Sequence, residues 1–260
     1  MLDRPGGRLL SAHLGVVYLF LYLPMAVLAV MSFNDSRLPT AWTGFSTRWY
    51  AALLANETLL RTAVNSVIVA AAATVGATVL GTLLAVGLER RRPSTLLDTA
   101  IFVPILIPDI VMAIALLSLY YMLDLTLGLH SIILAHIVFD ISFVCLVVRA
   151  RLRHINPAIV EASIDLGASE WTTFWLVVFP AILPGVVAGA LLAFTISIDE
   201  FVIAYFTAGA GLSSRTFPMQ IYSMIRFGLT PEINAAATIM LTVSITLVLF
   251  SQRLGRGAVA

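Results

Sequence analysis

Six stretches of this chain are each apolar for long enough to cross a lipid bilayer, and this limits what the chain can fold into. A span needs about 20 apolar residues at about 1.5 Å rise each. The runs are about Leu14–Phe33, Ala63–Leu88, Thr99–Leu123, Ser131–Val148, Pro184–Phe206 and Ala235–Leu254. Hydrocarbon offers a backbone no water to bond, so runs of this length cross as helices with internal hydrogen bonds. Of the 260 residues, 60% are hydrophobic and 11% charged, with mean hydropathy +1.00. A soluble domain carries about a quarter charged residues. The expected fold class is therefore an all-α integral membrane bundle of six transmembrane helices, with residues 1–260 as one domain. The first run follows Arg4 and Arg8, but it is too long for a signal peptide and no A-x-A site follows it, so it reads as an uncleaved span. A net charge of +1 argues for no nucleic acid and no acidic partner.

All 15 basic residues are arginines, and their placement sets the orientation. Arg4, Arg8, Arg90, Arg91, Arg92, Arg149, Arg151, Arg153, Arg253 and Arg256 fall on one side, and Arg37, Arg48, Arg61, Arg215 and Arg226 on the other. Positive residues stay in the cytoplasm, so both termini are expected inside and the first, third and fifth loops outside. The lack of lysine has a consequence. A P-loop needs its Lys to reach the β- and γ-phosphates, so ATP-driven work by this chain would need another chain to hydrolyse the nucleotide. Cys145 stands alone, which rules out an internal disulfide and reads as space-filling in an apolar helix. Small residues recur at four-residue spacing in the second run (Ala73, Ala77, Gly81, Ala85) and in the fifth (Gly185, Gly189, Ala193, Ser197). Such stripes let helix backbones approach closely in lipid.

The fourth loop, about 149–183, is long for a connection and is not a polar linker. Asn156 and Pro157 suit a helix cap and first position. Ile159, Ala162 and Leu166 then share one face, and Glu161 and Asp165 another. Gly167 suits a left-handed helix end, and a second short helix starting at Ser169 carries Trp171 and Phe174. Such a unit either seeks a partner surface or packs on the ends of its own spans.

This loop resembles the EAA signature of ABC importer permeases: Glu-Ala-Ala, three residues, Gly, nine residues, Ile-x-Leu-Pro. The chain reads Glu161-Ala162-Ser163, three residues, Gly167, nine residues, then Val177-Val178-Phe179-Pro180. Phe102–Met112, Ile198–Ile203, Ile221–Ala235 and Ser32–Ser36 are similar to the spermidine/putrescine branch. The resemblance implies a type I permease whose Glu161, Ala162, Ser163, Gly167 and Pro180 belong to coupling helices. These would dock on a cytoplasmic ATP-binding cassette ATPase present in two copies. It further implies a second permease subunit, an extracytoplasmic substrate-binding protein, surrounding membrane lipid, no cofactor, and a place in the bacterial cytoplasmic (inner) membrane. The expected substrate is a polyamine.

Four acids fall within apolar runs: Asp109 near the middle of the third, Asp140 near the middle of the fourth, and Asp199 and Glu200 in the outer half of the fifth. No arginine lies in these cores. Ionisable groups in hydrocarbon are costly and are functional candidates. An acid-lined path suits a chain of ammonium groups, with Asp199 and Glu200 met first and Asp140 and Asp109 deeper. Structural roles compete with this. Asp109 follows Pro108 and suits the first turn of a broken helix. His136 lies one turn before Asp140 and suits an intrahelical pair. A protonated structural acid is a further reading. Outside, Phe217–Arg226 has the spacing of an amphipathic helix, and Thr230 and Pro231 suit the cap and first position of the last span.

Other functions fit less of the sequence. An ABC permease for an opine or a phosphonate keeps the loop, but an anion would be repelled by the acids. An ion-coupled secondary transporter uses intramembrane acids, yet no inverted repeat is visible. His13, His130, His136 and His154 have no metal-ligand spacing, and neither H-E-x-x-H nor G-x-S-x-G occurs, which argues against an enzyme.

Overall fold

The computed structural model describes residues 5–37, 41–91, 94–227 and 231–257. Arg4, Arg92, Gly228, Leu229 and the expected cap Thr230 lie outside them, as do the side chains of Arg8, Arg253 and Arg256. The regular elements among the described residues are all helices, and one isolated β-bridge there joins Asn34 to Phe45. The helices are α1 (Pro5–Met31), α2 (Arg48–Ala55), α3 (Glu57–Glu89), α4 (Thr95–Leu106), α5 (Asp109–Met122), α6 (Leu129–Leu152), α7 (Pro157–Asp165), α8 (Glu170–Thr173), α9 (Phe179–Asp199), α10 (Val202–Thr207), α11 (Phe217–Phe227) and α12 (Pro231–Gly257). Among the described residues five helical runs are long and apolar enough to cross a membrane, and the number is six if α4 and α5, an apolar pair bent by 103°, count as one broken span.

The bend divides the expected third run. Pro108 has no N–H to donate, and its ring excludes a continuous helix. Ile107 and Pro108 are extended, and α5 restarts at Asp109. The fifth run departs from expectation in the opposite way. Its helix begins at Glu170, well before Pro184, and reaches Asp199 through a π-helical turn at Phe174–Val178. Pro180 thus sits in the first turn of α9, directly after a widened turn of the kind that re-routes a hydrogen-bond ladder.

The chain packs as two compact units. One comprises residues 1–60 and 221–242. The stretch between α1 and α2 is organised by Asn34, whose Nδ2 donates to Ala41 O at 2.7 Å and whose Oδ1 accepts from Thr43 N at 3.0 Å. Trp49 Nε1 donates to Asn34 O at 2.8 Å. α1 exposes Leu19, Phe20 and Leu23, as a helix bathed in lipid would.

The other unit comprises residues 61–220 and 243–260, and α6 is its mast. Val144, Cys145 and Val148 of α6 pack with Ala77, Ala85, Ile101, Ile182 and Ala193. Ala135 and Phe139 pack with Met112, Leu116 and Ile203, and Ile132 packs with Val69, Ala204 and Met219. Cys145 is a buried filler, as expected. Both small-residue stripes face this mast. A Cβ on Gly81 would lie 2.8 Å from Val144 Cβ and 2.9 Å from Ile141 O, and one on Gly185 2.8 Å from Arg151 Cβ.

These contacts predict the behaviour of Gly81→Ala. A helix-interior alanine is normally favoured over glycine, but here the methyl overpacks against α6 at a cost of about 1–3 kcal/mol. The melting temperature in detergent falls. Gly87→Ala, which meets nothing within 4 Å, does not lower it.

Candidate functional site

Two regions answer to the residues that the sequence singles out. The first lies within the fifth apolar run, where α9 ends. Asp199 is the last residue of α9, Glu200 is extended, and α10 restarts at Val202. A break of this kind leaves backbone N–H groups without intrahelical partners, and in hydrocarbon they must be satisfied by the protein. Glu200 does so. Its Oε1 accepts from Ile203 N at 2.7 Å and its Oε2 from Ala204 N at 2.8 Å. A carboxylate at a helix N-terminus is also favoured by the helix dipole.

Glu200 Oε2 lies 3.3 Å from His136 Nε2 on α6. The other ring nitrogen, Nδ1, is 2.6 Å from Ser197 Oγ on α9. His136 therefore turns across to α9, and its polar partners are there rather than at Asp140 one turn along α6. Asp140 is fully buried, and neither carboxylate oxygen has a hydrogen-bond partner among the described residues. Asp199 Oδ2 accepts from Ser244 Oγ of α12 at 2.6 Å, while its Oδ1 is buried without a partner. Asp109 stands apart as the exposed first residue of α5, at the bend. Its helix shares a core with Phe139 of α6 and Ile203 of α10.

Glu200 is thus committed to the backbone and to His136, and three buried carboxylate oxygens remain open, two on Asp140 and one on Asp199. Buried carboxylates of this kind call for a proton, a cation or water. Sequence reading placed the four acids in one group but missed the cross-helix contact of His136 with Ser197 and Glu200. Ser197 had been noticed only as a small residue, and nothing near Ser244 marks it as a partner for Asp199.

The second region is the loop after α6. Asn156 Oδ1 accepts from Ala158 N at 3.1 Å, and Pro157 opens α7. Gly167 closes it with φ +83°, a left-handed conformation strained for any side chain. Gly167 N donates to Ile164 O at 2.8 Å and Ala168 N to Ser163 O at 3.1 Å, so the turn satisfies carbonyls that α7 leaves open. Ser169 Oγ caps α8 by accepting from Thr172 N at 3.2 Å, and Ser163 Oγ meets Thr173 Oγ1 at 2.9 Å, joining the two short helices. Both structural expectations for this loop hold.

The two sides of α7 differ. Ile155 and Val160 pack toward Val148, Val178 and Ile182 of the core. Ile159, Glu161 and Ala162 are exposed, and Leu166 is 89% exposed, as is most of Trp171. The apolar face of α7 is therefore turned away from its own chain. An apolar face left exposed on a short helix outside the apolar runs is a candidate interaction surface. Pro180, also exposed, lies in the continuous helix beyond.

Residues 77–256 match the family model described as binding-protein-dependent transport system inner membrane component. Among curated proteins, the chain is 40% identical over 248 residues to the spermidine/putrescine transport system permease protein PotC of Haemophilus influenzae, covering 95% of this chain and 96% of the relative. It is 40% identical over 233 residues to the putrescine transport system permease protein PotI of Escherichia coli K12, covering 86% and 82%. Among solved structures, a bacterial ABC transporter that imports the acidic polysaccharide alginate superposes with TM-score 0.75 at 18% identity, covering 95% of each chain. The inward-facing MetNI methionine ABC transporter gives 0.62 at 18% identity, covering 78% of this chain and 99% of that one. At such identities these two likenesses speak for the fold.

The cap at the helix break yields a prediction. Glu200→Ala frees two N–H groups inside the membrane and removes the neighbour of His136 Nε2, a loss of about 1–2 kcal/mol. The purified protein melts several degrees lower, and Glu200→Gln, which keeps one acceptor, falls between the two. An unchanged melting temperature for Glu200→Ala would contradict the capping role.

Proposed function

The chain belongs to the family of binding-protein-dependent transport system inner membrane components, and from that membership we propose that it is the permease half of an ATP-driven polyamine importer, taking spermidine, putrescine or both. The uncovered apolar face of α7 carries the reading of an externally powered permease. Ile159, Ala162 and Leu166 form a surface that this chain does not bury. An ATPase that seats there can push on α7 and α8, and α8 runs without interruption into the span that ends at Asp199. Glu161, Ala162, Ser163, Gly167 and Pro180 are then the coupling segment.

The assembly on this reading contains a second permease, two copies of an ATP-binding cassette ATPase, an extracytoplasmic substrate-binding protein and surrounding lipid. This chain needs no cofactor. It contributes all 260 residues as one permease domain in the bacterial cytoplasmic membrane. Ten of its 15 arginines fall at the termini, between α3 and α4 and at the end of α6, so both termini face the cytoplasm.

Polyamine chemistry agrees with the acids. An ammonium group donates several hydrogen bonds and carries positive charge, and the open oxygens of Asp140 and Asp199 are acceptors for such donors. Asp109 adds a carboxylate at the bend. Glu200 serves the path by fixing the α9–α10 break and the neighbouring Asp199. The two polyamine-system relatives carry the choice of substrate.

The test is uptake of radiolabelled spermidine and putrescine by cells that lack other polyamine importers and express this chain with the other subunits. The parent takes up label, and Gly167→Pro, which cannot adopt the positive φ, takes up none at equal membrane level. Asp140→Asn and Asp199→Asn each lower uptake about tenfold, the scale of one charge-assisted hydrogen bond. An assembled parent complex that takes up neither compound rules out a polyamine substrate, and full uptake by both Asn variants rules out the acid path.

A further inference from the structure

The half-span α4 is held by α6 in two ways. Ile101 packs among Val144, Cys145 and Val148. One turn before Ile101, in the first turn of α4, Asp98 Oδ1 lies 2.7 Å from Arg149 Nη1, the only ion pair that α4 makes among the described residues. The same guanidinium has a second partner: Arg149 Nε donates to Glu89 Oε1 at 2.7 Å, at the last residue of α3. Two edges of one planar group thus join three helices, and the Arg149 side chain is only 10% exposed. Arg153 Nε adds a more exposed bond to Glu89 Oε1 at 3.0 Å.

The residues beside this joint reach toward the α7–α8 segment. Arg90, next to Glu89, lies 3.5 Å from Glu170 at the start of α8 and over the Phe174 ring at 6.0 Å. Arg151 Nε donates to Ala181 O in the first turn of α9 at 3.1 Å. Consecutive positions on α3 and α6 therefore connect α8 and α9 on one side with α4 on the other. Beyond α4 lies the 103° bend that presents Asp109.

We propose that Arg149 is a positioning residue, the joint through which displacement of α7 and α8 reaches α4 and the Asp109 bend. The inference rests on the reading of α7 and α8 as the segment driven by an ATPase. The chemistry of the fork carries it further. A guanidinium holds two acceptors in a fixed plane, which an ammonium on a flexible stem does not. Asp98 is 40% exposed, but the Arg149 end of both pairs is shielded, so breaking either one leaves an enclosed guanidinium with a partner fewer. α3, α4 and α6 are accordingly moved as one body at this end. α4 does not lag behind the coupling segment. Asp98 is the arm of the joint that serves α4 alone, so altering it separates this role from the hold of Arg149 on α3.

The complete importer, reconstituted with its ATPase, second permease and binding protein in liposomes, provides the test, with ATP hydrolysis and polyamine uptake measured together. Asp98→Asn keeps ATP hydrolysis within about twofold of the parent but lowers uptake per ATP about tenfold, the fold-change of one charge-assisted hydrogen bond. Asp98→Glu, which keeps the carboxylate, restores uptake per ATP to within about twofold of the parent. Spin labels at Thr99 of α4 and Ala158 of α7 report on the joint without transport. Their distance distribution is narrow in the parent with and without nucleotide, and broadens in Asp98→Asn. Equal losses of hydrolysis and uptake, or no loss together with an unbroadened distribution, overturn the joint. A parent complex that hydrolyses ATP without importing label instead contradicts the importer reading on which the joint rests.

Discussion

Hydrocarbon supplies no hydrogen bonds, and the polar features of this chain follow from that. Each polar group that enters a span must be satisfied within the protein or by what passes through it. The hydroxyls of Ser118, Thr195, Thr207, Thr238 and Thr242 turn back to the carbonyl four residues earlier, which keeps them silent inside their own helices. The break after α9 cannot be silenced in that way, because it exposes N–H groups with no turn before them. Glu200 fills the vacancy with its carboxylate and ties the break to α6 through His136. Among the described residues the hydroxyls of Thr74, Thr78 and Thr82 on α3 lack a partner, and the open oxygens of Asp140 and Asp199 are the carboxylate oxygens that do.

Close packing around α6 gives those groups a fixed frame. Glycine and alanine on α3 and α9 allow both helices to approach its backbone, and Gly81, Gly185 and Gly189 sit where a larger residue would press on Ile141, Val144, Val147 or Arg151. Lipid provides little hydrophobic drive for helices to associate, so contact area of this kind and a few polar ties hold the unit together. At one end of α6 the ties are arginine forks, and farther along the helix they pass through His136. The element that holds the acids thus also meets the segment that an ATPase would move.

Much of this was legible in the residues. Hydrophobic run length identified the spans, because the bilayer imposes that length. Asn156-Pro157, Gly167 and Ser169 marked two short helices, because capping and positive φ are local demands that few residues meet. Pro108 allowed for a broken third span. Helix ends were less legible. Hydropathy measures the thickness of hydrocarbon, whereas α3 continues to Glu57 and Glu89, and the helical run of the fifth span begins as far back as Glu170. Pro180 and Pro184 suggested a later start, and a π turn placed just ahead of Pro180 is invisible to periodicity. Among the acids, the sequence grouped four residues that the structure places in different surroundings. The capping role of Glu200 depends on a break at Glu200–Phe201 that no proline or glycine announces. The pairing of Asp199 with Ser244 joins residues 45 apart in the chain.

The claim that force enters through the uncovered face of α7 is tested most directly by a photo-crosslinking residue at Leu166 in the assembled complex. Leu134, an exposed residue within α6, serves as the control. The account predicts that Leu166 crosslinks to the ATPase subunit and that Leu134 does not. Crosslinks from Leu166 to lipid or to this chain alone, with the ATPase bound and active, would contradict it.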